Sequence, residues 1–395
     1  MMTAPITIDD VGPMPVERPG SVAELCAIVR RCADTKTAIF PVGGGTMLDY
    51  GMPPARPGIA LSTAALDQVI DYPARDLTIT VQAGITMRRL QETLAAENQW
   101  LPIDVPQPEK ATIGGAIACD VSGPRRYGYG TLRDYVIGIS IVNDRGEECR
   151  AGGRVVKNVA GYDMMKLHTG ALGTLGVITQ VTLKVKPRPE ASRSVSVGFR
   201  RDDFQRGLQM IDAIPWQPVA WTVELRPAGD GLSTALFEGS ADAVRWQVEN
   251  FERHIQPPIF RRHDGERQAE SVSACRFRSR IVPSRLGELI RVAQSAANDN
   301  RLDIRACPGI ATAQFRLLDA EPWPLSEVRD FAELICRKSH ELGGHMVIEE
   351  CPTDWKRSLP VWGRPPADLA LQKAVKQALD PQNVFNPGRF VTDPG

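Results

Sequence analysis

Apolar residues recur at two different spacings along the first half of the chain. Leu25, Ile28 and Val29 share one helical face, and Ser21-Val22-Ala23-Glu24 before them has the spacing of a capping box. Residues 87–97 repeat the helical spacing behind Thr86, and residues 163–168 supply one or two further turns. Residues 37–42, 59–62, 68–72 and 77–82 are instead short β runs, and 177–185 alternates apolar with polar. Asn143-Asp144-Arg145-Gly146 lies between β runs at 136–142 and 147–150, which predicts a hairpin. In the second half, residues 193–199, 219–225 and 232–237 predict strands. Residues 241–251, 285–297 and 325–342 predict helices. Strands followed by helices suggest an antiparallel α+β lobe.

Glycine separates the two halves. Residues 110–176 hold 13 of the 34 glycines, whereas residues 177–340 hold only 8. Glycine lets a backbone turn sharply and approach a ligand, so the first half is expected to cradle one. The break falls at Lys186-Pro187-Arg188-Pro189, a stiff linker-like segment. The expected domains are 1–187, a cap at 188–370, and a C-terminal segment at 371–395 that packs back on the first domain.

Four motifs lie in the glycine-rich half. Pro41-Val42-Gly43-Gly44-Gly45-Thr46 is a strand running into three glycines. It reads as a row of backbone N–H groups open to an anion, or as a tight loop without a ligand. It matches neither a Walker loop nor the G-x-G-x-x-G fingerprint. Ala111-Thr112-Ile113-Gly114-Gly115-Ala116 places a threonine at a helix start with glycines in its first turn. It offers a second set of N–H groups, or a glycine-softened buried helix. Ser122-Gly123-Pro124 follows. In Arg125-Arg126-Tyr127-Gly128-Tyr129-Gly130 the arginines read as solvated, and the glycines as a backbone held against something flat. The fourth motif sets Lys157 and Asn158 in an apolar run and ends at Gly173-Thr174-Leu175-Gly176-Val177-Ile178.

Charge and cysteine usage remove several alternatives. Lys plus Arg and Asp plus Glu both number 47, so no net charge draws the chain to nucleic acid or an anionic bilayer. The eight cysteines include no C-x-x-C pair, which argues against a zinc site or an iron–sulfur cluster in this chain. No metal site is expected. MMTAPITIDD is acidic and lacks an apolar core, which predicts no signal peptide and a cytoplasmic protein. Any contact with the inner membrane is expected to run through partners.

The order of the four motifs resembles the PCMH-type FAD-binding domain of the vanillyl-alcohol oxidase superfamily. The run 153–178 looks like that of the FAD-binding E subunits of bacterial glycolate oxidases. Leu379-Asp380-Pro381 and Val384-Phe385-Asn386-Pro387-Gly388-Arg389 are similar to the C-terminal signature of that group. The likeness spans about residues 15–187 and the last 20 or so residues. It implies a two-lobed α+β fold with a cap over the flavin. It also implies that Pro41, Gly43, Gly44, Gly45 and Thr46 hold the pyrophosphate. Thr112, Gly114, Gly115, Ala116, Ser122 and Gly123 would line the adenosine diphosphate and ribityl region, and Gly176, Val177 and Ile178 would close over the cofactor. Relatives that attach FAD covalently place a histidine near the first glycine loop. None precedes His168 here, so FAD is expected to be non-covalent.

The implied activity is oxidation of glycolate to glyoxylate in a hetero-oligomer with a second FAD-binding subunit and an iron–sulfur subunit. The catalytic residues are not readable. His345 stands where the family pairs histidines, and Arg276 and Arg278, alternating with Arg280, are candidates for a substrate carboxylate. A self-sufficient FAD oxidase or dehydrogenase of another alcohol or hydroxy acid remains open. So does a non-catalytic assembly subunit.

Overall fold

The computed structural model describes residues 3–153, 162–200, 203–204, 217–227, 230–254, 260–262, 273–297, 301–318 and 322–390. Lys157 and Asn158 lie outside the described residues. The chain divides into two compact units. One comprises residues 1–123, 130–188 and 365–395; the other comprises 124–129 and 189–364.

The first unit holds a four-stranded mixed sheet and a five-stranded antiparallel sheet. The four-stranded sheet runs Thr3–Ile8, Val11–Glu17, Gly58–Ser62, Ala38–Val42, with the last three strands parallel. Ala4, Ile6 and Ile8 alternate with polar residues or proline, so the N-terminal strand carried a period-two signal that the sequence reading did not use. The five-stranded sheet runs Val69–Asp71, Thr78–Gln82, Val177–Lys184, Val136–Val142, Glu148–Gly152. Its last two strands form the expected hairpin. Asn143 Oδ1 accepts the N–H groups of Arg145 at 3.0 Å and Glu147 at 2.9 Å, and Gly146 takes φ +68°.

Helix Val22–Asp34 buries Leu25, Cys26, Val29 and Cys32. Its cap differs from a standard capping box. Ser21 Oγ accepts the Glu24 N–H, but the Glu24 carboxylate reaches back to the Gly20 N–H at 2.8 Å. Helix Met87–Ala95 begins at Thr86, whose hydroxyl accepts the Arg89 N–H.

Short helix Met164–His168 buries His168, which is 3% exposed. Its Nε2 has no partner among the described residues, and burial pushes the imidazole down to about 4. The unfolded chain takes up this proton near pH 6.5, so between about 6.5 and 4 only the unfolded state binds it. Stability should therefore be intact above about pH 6.5 and fall as the pH drops toward 4, by at most about 3 kcal/mol from this group. His168→Met is expected to flatten the acid limb when urea midpoints are compared at about pH 7 and about pH 4.5. An unchanged acid limb in the variant would remove His168 as the cause.

The second unit is an eight-stranded antiparallel sheet ordered Phe260–Arg262, Ala191–Phe199, Gly231–Gly239, Ala220–Leu225, Leu302–Cys307, Thr312–Leu318, Ser273–Arg280, His345–Glu350. Helices Ala241–His254, Leu286–Ala296 and Leu325–Glu341 contribute Phe251, Leu289, Phe331 and Ile335 to one core with Phe237, Phe277 and Phe315 of the sheet. Phe331 meets Phe277 edge-on at 5.4 Å between centroids.

Residues 125–129 of the arginine motif belong to this unit, and Arg125, expected to be solvated, is a salt-bridge partner. Arg125 Nη2 lies 3.0 Å from the Glu238 carboxylate, whose side chain is 2% exposed. The glycines meet protein: a Cβ on Gly128 would stand 2.6 Å from Val219 Cα, and the Tyr127 ring lies against Gly309.

Candidate cofactor site

The site starts where strand Ala38–Val42 runs out into Gly43-Gly44-Gly45-Thr46. Among the described residues, no protein group accepts the N–H groups of these four residues. Gly45 turns the chain at φ +69°. Such a row of amides binds an anion with no charged side chain.

The loop rests on the second glycine motif. A Cβ on Gly43 would stand 2.0 Å from Thr112 Oγ1, and one on Gly44 would stand 1.7 Å from the Lys110 carbonyl oxygen. Both distances are closer than real side chains approach, so glycine is required there for contact between the two segments.

The second motif does different work from the one expected of it. Thr112 caps helix Ile113–Ala118, and its hydroxyl accepts the Gly115 N–H at 3.3 Å. Ile113 donates to the Ile85 carbonyl at 3.0 Å, Gly114 to Ala83 at 2.9 Å, and Ala116 to Thr112 at 2.9 Å. These amides are spent inside the protein and do not offer an anion site. The glycine at 114 allows a close approach, because its Cβ would meet Ala83 Cβ at 2.7 Å. The motif builds a cleft wall by packing.

The cleft holds about 1090 Å³ of empty space, counting its open mouth. Its walls include Pro41, Gly43, Gly44, Gly45, Thr46, Thr112, Gly114, Gly115, Ala116, Gly176, Val177 and Ile178. Two of the expected residues are elsewhere. Ser122 Oγ is buried and accepts the Leu132 N–H at 3.0 Å, and Gly123 turns at φ +66° against Asp104. Neither is on the wall.

The tail contributes wall residues that sequence reasoning did not assign to the site. Val384–Asn386 runs beside strand Ala38–Val42: Ile39 N–H donates to Val384 O, and Asn386 N–H to Ile39 O, each at 2.8 Å. Asn386 and Arg389 both line the cleft, as do Met47, Leu48 and Tyr50. The tail is fastened by a buried ion pair. Lys376 Nζ donates to Asp380 Oδ2 at 2.7 Å, to Thr174 O at 2.8 Å and to Phe385 O at 3.0 Å. Asp380 in turn accepts the N–H groups of Val384 at 2.9 Å and Phe385 at 2.8 Å.

The catalytic candidates lie in the second unit. Arg276 pairs with Glu350 at 3.0 Å, and Arg278 with Glu349 at 2.5 Å. Glu349 also accepts from Gln314. Both arginines are thus already matched by carboxylates, and Glu349 is not placed as a metal ligand with His345. His345 stays open to solvent at the sheet edge, and partial desolvation of its ring, followed by the Arg278 and Arg280 charges, holds its pKa below the usual value. Among the described residues, no group of three or more His, Cys, Asp or Glu is placed to hold a metal ion. No described helix is long and apolar enough to cross a membrane.

Residues 13–152 match the FAD binding domain family. The chain is 28% identical to glycolate oxidase subunit GlcD of Bacillus subtilis (strain 168), over 96% of this chain and 89% of that protein. Against glycolate oxidase subunit GlcE of Escherichia coli (strain K12) it is 37% identical, over 48% of this chain and 53% of the relative. A probable mitochondrial D-lactate dehydrogenase of Danio rerio is 26% identical over 94% of this chain and 83% of that protein. Among solved structures, an alkyldihydroxyacetonephosphate synthase superposes with a TM-score of 0.70 at 16% identity, over 95% of this chain and 77% of that one, a likeness of fold. The fold is thus the α+β PCMH-type FAD-binding fold, its cofactor is FAD, and the chain is an FAD-dependent oxidoreductase.

Proposed function

We propose that this chain oxidises a 2-hydroxy acid, with glycolate as the substrate, as the E-type FAD-binding subunit of a glycolate oxidase complex. Electrons leave for a partner iron–sulfur subunit, and a second FAD-binding subunit completes the assembly. The observation that carries the cofactor assignment is the row of open amides from Gly43 to Thr46 at the cleft. The 37% identity to GlcE over 48% of this chain supports the subunit assignment.

The residues present fit FAD. Uncharged amides at Gly43–Thr46 suit a pyrophosphate, and the missing side chains at Gly43 and Gly44 let that loop pack against Thr112 and Lys110. Thr112, Gly114, Gly115 and Ala116 form the ribityl wall by packing, while Gly176, Val177 and Ile178 close it. FAD when bound supplies the electron acceptor for the two electrons leaving the substrate carbon. The protein's share is to hold the cofactor and exclude water around it. Attachment is proposed to be non-covalent because no histidine precedes His168 in the sequence. The same reading places the protein in the cytoplasm, reaching the inner membrane through its partners alone.

A second reading, a dehydrogenase that works without partners, draws support from the near full-length likeness to GlcD and the D-lactate dehydrogenase. The visible spectrum of the purified chain under anaerobic glycolate separates the two. Flavin that stays oxidised alone but bleaches once partner subunits are added fits the complex. Bleaching by glycolate in the isolated chain fits the second reading. Flavin that no 2-hydroxy acid reduces, with or without partners, contradicts both.

A further inference from the structure

We propose that Arg389 is a positioning residue for the cofactor, fixing the loop that forms one wall of the cleft. The inference rests on the cleft being the FAD site. Residues 47–52 follow the open amides and contain no strand or helix among the described residues. Leu48 and Tyr50 of this stretch line the cleft. Apart from the turn bond from Tyr50 N–H to Met47 O at 3.3 Å, contacts from outside the loop help to set its shape.

Arg389 does so. Its guanidinium donates to the Tyr50 carbonyl at 2.7 Å, to the Met52 carbonyl at 2.8 Å, and to the Leu48 carbonyl. Met52 N–H returns a bond to Arg389 O at 3.2 Å. Three carbonyls two residues apart thus converge on one planar fork. The fork is held by the Asp9 carboxylate, and the two side chains are 7% and 1% exposed. The backbone behind the fork is constrained as well. Gly388 takes φ +87°, and a Cβ there would stand 2.5 Å from Ala55 N. Asn386 is tied to Leu172 O. One side chain thus links the N-terminal hairpin, the loop and the tail at the cleft.

A lysine in this place keeps the charge facing Asp9 but not the fork, because three N–H groups on one nitrogen are too few for the carboxylate and three carbonyls that the two guanidinium nitrogens serve. Arg389→Lys is expected to fold with a near-native thermal midpoint by circular dichroism. Its FAD affinity, from fluorescence titration of the full-length apoprotein, should fall about tenfold or more.

Asp9→Asn with Arg389→Met isolates positioning from charge balance. It removes both charges, so no buried ion is left unpaired, while the loop carbonyls still lose their donor. The double variant should recover stability relative to Arg389→Met alone and still bind FAD weakly. Native affinity in Arg389→Lys would overturn the proposal. So would a double variant that regains stability and affinity together, since Arg389 would then serve only to balance Asp9. Failure of the unaltered chain to bind FAD would overturn the cleft assignment and this inference with it.

Discussion

Gly44→Ala is expected to weaken FAD binding by the full-length chain about tenfold or more, a larger loss than that of Gly45→Ala. The two positions adjoin in sequence but carry different constraints. A methyl at 44 would stand 1.7 Å from the Lys110 carbonyl oxygen and 2.4 Å from its carbon. Those are backbone atoms, so no rotamer change relieves the clash. The loop must lift off the segment that carries Thr112, and the open amides lose their aim. Forcing atoms into a packed contact costs about 1–3 kcal/mol. At 45 the nearest atom to a Cβ is Leu48 Cδ1 at 3.7 Å, so the cost is that of a left-handed residue, φ +69°. That cost is about 1–2 kcal/mol. Titration of each apoprotein with FAD decides between them. Equal losses at both positions would mean that the contact with Lys110 does not shape the site.

Asp380→Ala should cost about 3–5 kcal/mol of stability, the range for removing one partner of a buried ion pair. The Lys376 and Asp380 side chains are 6% and 0% exposed. The substitution strands the ammonium and leaves the Val384 and Phe385 N–H groups without their acceptor. Phe385 and Val384 belong to the core beneath strand Ala38–Val42, so the tail should loosen from the sheet. Lys376→Met combined with Asp380→Asn removes both charges and keeps an acceptor for one backbone N–H. It should therefore cost less than Asp380→Ala alone in urea unfolding. A larger cost in the double variant would show that the pair is not what fastens the tail.

Local features were legible in the sequence, and long-range ones were not. Thr86 and Thr112 cap helices as residue type and spacing suggest. The asparagine–glycine turn at 143–146 closes its hairpin by local bonds. The amides of residues 113–115 looked equivalent to those of 43–46. Pairing with Ala83 and Ile85 consumes two of them, and nothing near residue 113 announces that pairing. Arg125 finds Glu238 across 113 residues, and Arg389 finds Asp9 across 380. The strands Leu302–Cys307 and Thr312–Leu318 were missed although Leu302, Ile304 and Ala306 alternate inward. The terminal motif was recognisable by resemblance, yet its place on the cleft depends on a parallel bridge to Ile39.

The most direct test of the account is a titration of the unaltered, full-length apoprotein with FAD, followed by denaturation to release the cofactor. The account predicts saturation at one FAD per chain, a yellow protein, and all of the flavin in the supernatant after denaturation. Folded protein that takes up no FAD would contradict the assignment of the cleft and everything built on it.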